Sequence, residues 1–198
     1  MQKKKCETDD NRNNYLKYLL EKSPSGYIKL LREVLPLQVN SKEYNIYLKE
    51  DIRFLVEEVM QTSEDTLEHL AEKCPSDYIY MLSQILFLQK TGRGYNFFLV
   101  ERIIQASTVK LKYLAEKCPS DYIYLFRKAL SYYVSDEQYN KTFTKDILNA
   151  VCLETLLEKS PSSFADFVGE FLSLQVTENQ NDIDFIQDVI KKILMMRP

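Results

Sequence analysis

The chain has 198 residues, 45% of them apolar and 28% charged, with a formal net charge of −3. With four glycines, six prolines and no Asn-Gly or Asp-Gly pair between alternating runs, hairpins are not expected. Lysines and arginines interspersed with acids argue against a broad non-specific nucleic-acid surface and leave room only for a local basic stripe.

No apolar run approaches the roughly 18 residues of a membrane span, so no membrane association is expected. The four cysteines have no CxxC spacing, which argues against a disulfide framework and against a metal site. Cys74 and Cys118 are equivalent positions of a repeat, whereas Cys6 and Cys152 stand alone.

Residues 1–13 are dense in Lys, Asp and Asn, carry no apolar periodicity, and read as a disordered N-terminal tail. Lys3-Lys4-Lys5 within it reads as a solvated run. Polar residues follow Cys6 where a secretory signal would carry its apolar region, so the expected location is intracellular, in nucleus or cytoplasm.

Beyond the tail the chain repeats. The run Leu70-Ala71-Glu72-Lys73-Cys74-Pro75-Ser76-Asp77-Tyr78-Ile79-Tyr80 returns unchanged at residues 114–124. Weaker copies surround Pro24 and Pro161, so the marker prolines Pro24, Pro75, Pro119 and Pro161 lie 51, 44 and 42 residues apart. A period of this size marks a helical array whose units need neighbours to cover their apolar faces.

Each unit reads as three helical pieces. The first is short, with Tyr15, Leu16, Leu19 and Leu20, or Leu67, Leu70 and Ala71, or Leu111, Leu114 and Ala115, or Leu153, Leu156 and Leu157 on one face. It closes on Glu-Lys, which suits the negative end of the helix dipole. Ser23, Cys74, Cys118 or Ser160 then precedes proline, where one helix must stop and another can start. Ser23 and Ser160 are expected to cap the new helix, and Asp77 and Asp121 to supply negative charge in its first turn.

The second piece is the most apolar. Tyr78, Met81, Leu82, Ile85 and Leu88 share a face that Ile79 and Leu86 widen, which predicts a helix sandwiched between neighbours. Polar loops are expected over 39–43, 90–95, 134–141 and 176–181. The third piece is amphipathic again: Ile46, Leu48, Ile52, Leu55, Val56 and Val59, then Phe97, Val100, Ile103 and Ile104, then Phe143, Ile147 and Leu148. Its fourth copy, from Ile183 through Leu194 to Met195-Met196, leaves an apolar end, which implies a longer parent protein or a C-terminal helix packed on a partner.

Three helical pieces in about 42 to 51 residues, with proline at a fixed internal turn, resemble HEAT and armadillo repeats in period and architecture over residues 15 to 196. The Asp and Arg that flank the HEAT turn and the glycine-containing start of armadillo units have no counterpart here. The resemblance implies an all-α fold, a right-handed α-α superhelix of about four repeats. They would form one domain over 14–198, with units near 15–61, 62–106, 107–150 and 151–196.

Nothing in the residues assembles an enzyme, and no cofactor is expected. The single histidine, His69, sits between Glu68 and Leu70 as a boundary residue, and Gly92-Arg93-Gly94 lacks the lysine and further glycines of a phosphate cradle. Cys74 and Cys118 lie near helix starts, where a thiol can be activated, but serine replaces them in the outer units. The recurrent pairs Glu21-Lys22, Glu72-Lys73, Glu116-Lys117 and Glu158-Lys159 have two readings, a ladder that grips a peptide and, favoured by their recurrence in every unit, structural links between units or helix-end charges.

Recognition is expected where the copies differ. Aligning the second helices on proline brings Lys29, Tyr80, Tyr124 and Asp166 into one column, Arg32, Ser83, Arg127 and Gly169 into the next, then Glu33, Gln84, Lys128 and Glu170. Phe87 extends that side by a turn. The candidate partner-binding stripe is therefore Lys29, Arg32, Tyr80, Gln84, Phe87, Tyr124, Arg127 and Lys128, rich in the aromatic and cationic types that anchor interfaces. The reading is a non-enzymatic scaffold for a peptide or protein partner, acidic partners being the ones these cations suit. The alternatives are a nucleic-acid-binding array that stacks bases on tyrosine, and a homodimerising subunit of a larger complex paired through its apolar C-terminal helix.

Overall fold

A computed structural model describes residues 15–37, 50–91, 94–135, 141–150 and 153–173, with the isolated positions Gln187, Lys191 and Met195. The expected tail over 1–13, most of the loops, the first half of the first unit's third helix and nearly all of the C-terminal apolar run lie outside the described residues. The regular structure is α-helical, with no strand among the described residues. In chain order the helices are α1 (15–22), α2 (Pro24–Val34), α3 (Glu50–Met60), α4 (Glu64–Lys73), α5 (Pro75–Thr91), α6 (Phe97–Thr108), α7 (Leu111–Lys117), α8 (Pro119–Ser135), α9 (Lys141–Asn149), α10 (Leu153–Lys159) and α11 (Pro161–Ser173).

The four proline turns have the same construction. Each is a single residue whose N–H donates backward and whose C=O accepts forward. Ser23 N–H meets Leu19 O at 2.8 Å while Ser23 O takes Tyr27 N–H at 3.0 Å. Cys74 joins Leu70 to Tyr78, Cys118 joins Leu114 to Tyr122, and Ser160 joins Leu156 to Phe164 in the same way. Proline at the first helical position excludes the residue before it from helical backbone angles. Accordingly φ/ψ are −146/66 at Ser23, −136/62 at Cys74 and −132/66 at Cys118.

This geometry corrects the expected role of the turn serines. Ser23 makes no capping bond with its side chain, and Ser160 Oγ instead meets Ser120 Oγ of the preceding unit at 2.8 Å. Ser63, which does cap α4 by accepting from Thr66 N–H, has φ/ψ of −72/158. The smaller ψ before proline forgoes that extended capping geometry. The expected first-turn acids Asp77 and Asp121 are in place.

The Pro-initiated helices contact one another in chain order, α2 on α5, α5 on α8, and α8 on α11. Helix α5 also meets α4 and α7, which explains its breadth of apolar residues. Met81, Leu82, Ile85 and Leu86 are all 0% exposed, and each such burial contributes roughly 1.5–3 kcal/mol. The buried side chains form one continuous cluster running from Leu16 to Phe167. Phe126 and Phe167 meet edge to face across α8 and α11, with centroids 5.3 Å apart. Two expected core residues are not buried: Tyr15 on α1 and Phe97 on α6 face solvent. Phe97 lies in the first turn of its helix, where fewer neighbours reach it.

Polar contacts tie each turn to the next. Ser76 Oγ donates to Asp121 Oδ2 at 2.6 Å, and Ser120 pairs with Ser160. Lys110 bridges Glu72 at 2.7 Å and Glu68 at 3.2 Å, which holds the Glu72 carboxyl below its ordinary range. Lys159 Nζ reaches the Glu116 carbonyl oxygen at 3.4 Å. Within these contacts Glu72, Glu116 and Lys159 of the Glu-Lys pairs link successive units.

Candidate partner-binding groove

Three tyrosines decide which way the second helices face. Tyr27, Tyr78 and Tyr122 stand three residues after their prolines and are buried. Their hydroxyls reach the third helical piece of the same unit or its end. Tyr27 Oη pairs with Thr62 Oγ1 at 2.9 Å, Tyr78 Oη with Ser107 Oγ at 3.1 Å, and Tyr122 Oη donates to Ile147 O at 2.8 Å. Burial pushes all three phenols above their ordinary range, Tyr78 and Tyr122 strongly. With these rings locked inward, the residue two positions later points outward: Tyr80 and Tyr124 are 52% and 40% exposed.

Between α2, α5 and α8 the outward residues line an open depression of about 290 Å³. Six of the eight residues expected to bind a partner lie there: Arg32 from α2, Tyr80, Gln84 and Phe87 from α5, and Tyr124 and Lys128 from α8. Ser83 and Tyr132 complete the lining. Lys29 is exposed on α2 and Arg127 half-buried on α8, both outside this lining. Arg127 shares Arg32's column in the repeat alignment.

The cations in the groove are held. Arg32 Nε donates to Gln84 Oε1 at 3.0 Å, and Gln84 Nε2 returns a bond to Arg32 O at 3.1 Å. The guanidinium carbon lies 4.2 Å from the centre of the Tyr80 ring. Lys128 Nζ stands 5.5 Å over Tyr124, and Lys90 Nζ 4.5 Å over Tyr132. Such contacts contribute about 0.5–1 kcal/mol where exposed and about 2 where water is excluded. Ser83 Oγ is turned back onto Tyr80 O at 2.7 Å. Among the described residues no carboxylate lines the depression.

Lys90 and Tyr132 were not among the expected residues. Lys90 is one turn beyond Phe87 and Tyr132 one turn beyond Lys128, so the i+3 and i+4 spacing that joined Gln84 to Phe87 would have reached them. Elsewhere, His69 is exposed. Burial first, and then Asp77 or Asp121, pushes the Cys74 and Cys118 thiols up, opposite to the shift that activates a nucleophile. Among the described residues there is no group of three metal-ligating side chains, and no helix is long and apolar enough to cross a membrane.

No family model, curated protein or solved structure matches this chain.

Proposed function

We propose that this chain is a non-enzymatic helical-repeat scaffold that binds a peptide or protein segment in the groove between α2, α5 and α8. In this reading its units wind as a right-handed superhelix in the manner of HEAT and armadillo arrays, and it works inside the cell as a subunit that presents side chains from successive repeats. The observation that carries the reading is the groove itself. Tyr80, Phe87 and Tyr124 leave roughly half their surface in water beside cations already fixed by hydrogen bonds and ring contacts.

Aromatic rings exposed this far are costly to leave uncovered and are the side chains that carry most interface energy. A groove whose side chains are ordered before the ligand arrives loses less entropy on binding. Stacking of nucleobases fits less well, because one face of Tyr80, Tyr124 and Tyr132 is each taken by a cation.

Panning a random displayed-peptide library against the full chain tests this. Binders are expected to lose affinity on the double substitution Tyr80→Ala and Tyr124→Ala while helical circular dichroism and the melting temperature hold. Binders indifferent to that double variant would remove the groove as the site.

A further inference from the structure

We infer that the groove is an acid-reading clamp, in which Arg32 grips a carboxylate of an acidic peptide segment and Lys128 and Lys90 meet further carboxylates along it. This rests on the groove being a peptide site and adds the chemistry of its ligand. Three cations border the depression and no carboxylate lines it among the described residues, although the chain as a whole carries a net charge of −3. The local charge is therefore opposite in sign to the molecule's own, and complementarity selects an acidic segment.

Arg32 is the best placed of the three. Its Nε is spent on Gln84 Oε1, and one face lies against Tyr80. The outer edge of the fork, with its two Nη groups, is left for a ligand, and a guanidinium offers that edge to a carboxylate through two parallel bonds. Gln84 is the positioning residue. Its amide is engaged at both ends, by Arg32 Nε and by Arg32 O, so neither partner swings when a ligand enters. Lys128 and Lys90, each resting over a tyrosine ring, lack that planar fork and contribute as point charges. Apolar side chains of the ligand would lie on Phe87 and on the open face of Tyr124, both exposed.

The test uses the peptides enriched by panning on the full chain, labelled and titrated by fluorescence anisotropy. Enriched sequences are expected to carry Asp or Glu, and converting those residues to their amides should weaken binding about tenfold or more. Arg32→Gln should weaken the acidic peptides to the same degree. Arg32→Lys should lose part of the affinity, because it keeps the charge without the fork. Gln84→Glu, which keeps an acceptor for Arg32 Nε but places a carboxylate in the groove, should suppress binding as fully as Arg32→Gln, whereas Gln84→Leu should cost less.

Melting curves of each variant separate lost binding from lost folding. Neutral peptides that need Tyr80 and Tyr124 yet ignore Arg32→Gln would overturn the acid clamp and leave the groove standing. Peptides that ignore both substitutions, or oligouridine binding that depends on Tyr80 and Tyr124 in place of peptide binding, would overturn both.

Discussion

Tyr78 and Tyr122 are each 0% exposed, and what their hydroxyls meet sets what each is worth. Ser107 Oγ, the partner of Tyr78, also donates to Ile103 O, so Tyr78→Phe strands no buried group and should cost about 0.5–1 kcal/mol. Tyr122 donates to a backbone carbonyl, Ile147 O, and Tyr122→Phe should cost about 1–2 kcal/mol. The two phenols also make stability depend on pH. Burial raises their folded-state pKa far above the value of about 10 for an unfolded tyrosine. Below pH about 10 both states hold the proton and the contribution is constant. Above it the unfolded chain releases protons that the folded chain keeps, so stability should fall by roughly 1.4 kcal/mol per pH unit for each phenol. Urea unfolding across that alkaline range should show this slope, flattened in the Tyr78→Phe, Tyr122→Phe double variant. An unchanged slope would show that these phenols are open to water. The rings were legible in the sequence as members of an apolar face. Their hydroxyl partners were not, because they lie 35, 29 and 25 residues further on, at no fixed offset, and include a backbone carbonyl that no side-chain pattern can signal.

At the scale of the helix, starts were legible and side-chain caps were not. Every marked proline opens a helix, because the ring forbids a helical predecessor and lacks the N–H that a helix interior would need. The cap of α6 shows the opposite case. Asn96 is buried; its Oδ1 accepts Leu99 N–H at 3.1 Å, and its own N–H donates to Leu35 O at 2.9 Å, which joins the end of α2 to the start of α6. Its Nδ2, however, is buried with no partner among the described residues. Serine caps a helix about as well as asparagine and carries no amide nitrogen. Asn96→Ser should therefore melt within a few degrees of the parent, with a stability change under about 0.5 kcal/mol. Asn96→Ala, which leaves Leu99 N–H without its acceptor, should lose about 1–2 kcal/mol. Equal losses in the two variants would mean that the amide nitrogen is satisfied after all.

For the molecule as a whole, the question is how far a disturbance in one unit travels. The column alignment of the repeats groups six residues that line the depression with Lys29 and Arg127, which lie outside it, because the lining crosses the columns. Arg32 contributes from eight residues past its proline, Gln84 and Lys128 from nine, and Tyr132 from thirteen. Which registers meet is set by how neighbouring helices pack, and a repeat read in isolation does not contain that. The same packing makes stability a property of neighbours. Helix α5 touches α2, α4, α7 and α8, so a defect in it removes support from both sides at once, as expected where units are held by nearest-neighbour interfaces. Leu86 is 0% exposed in that helix, whereas Leu16 on α1 is 8% exposed at the start of the described chain. Leu86→Ala should cost about 2–5 kcal/mol and Leu16→Ala less. Hydrogen exchange read by mass spectrometry distinguishes coupled from independent units. In Leu86→Ala, amides of α2, α5 and α8 should all exchange faster by a similar factor, while Leu16→Ala should speed only α1. Acceleration confined to α5, with α2 and α8 as protected as in the parent, would show that each unit holds its own structure and that the groove between them is an assembly of separately stable pieces.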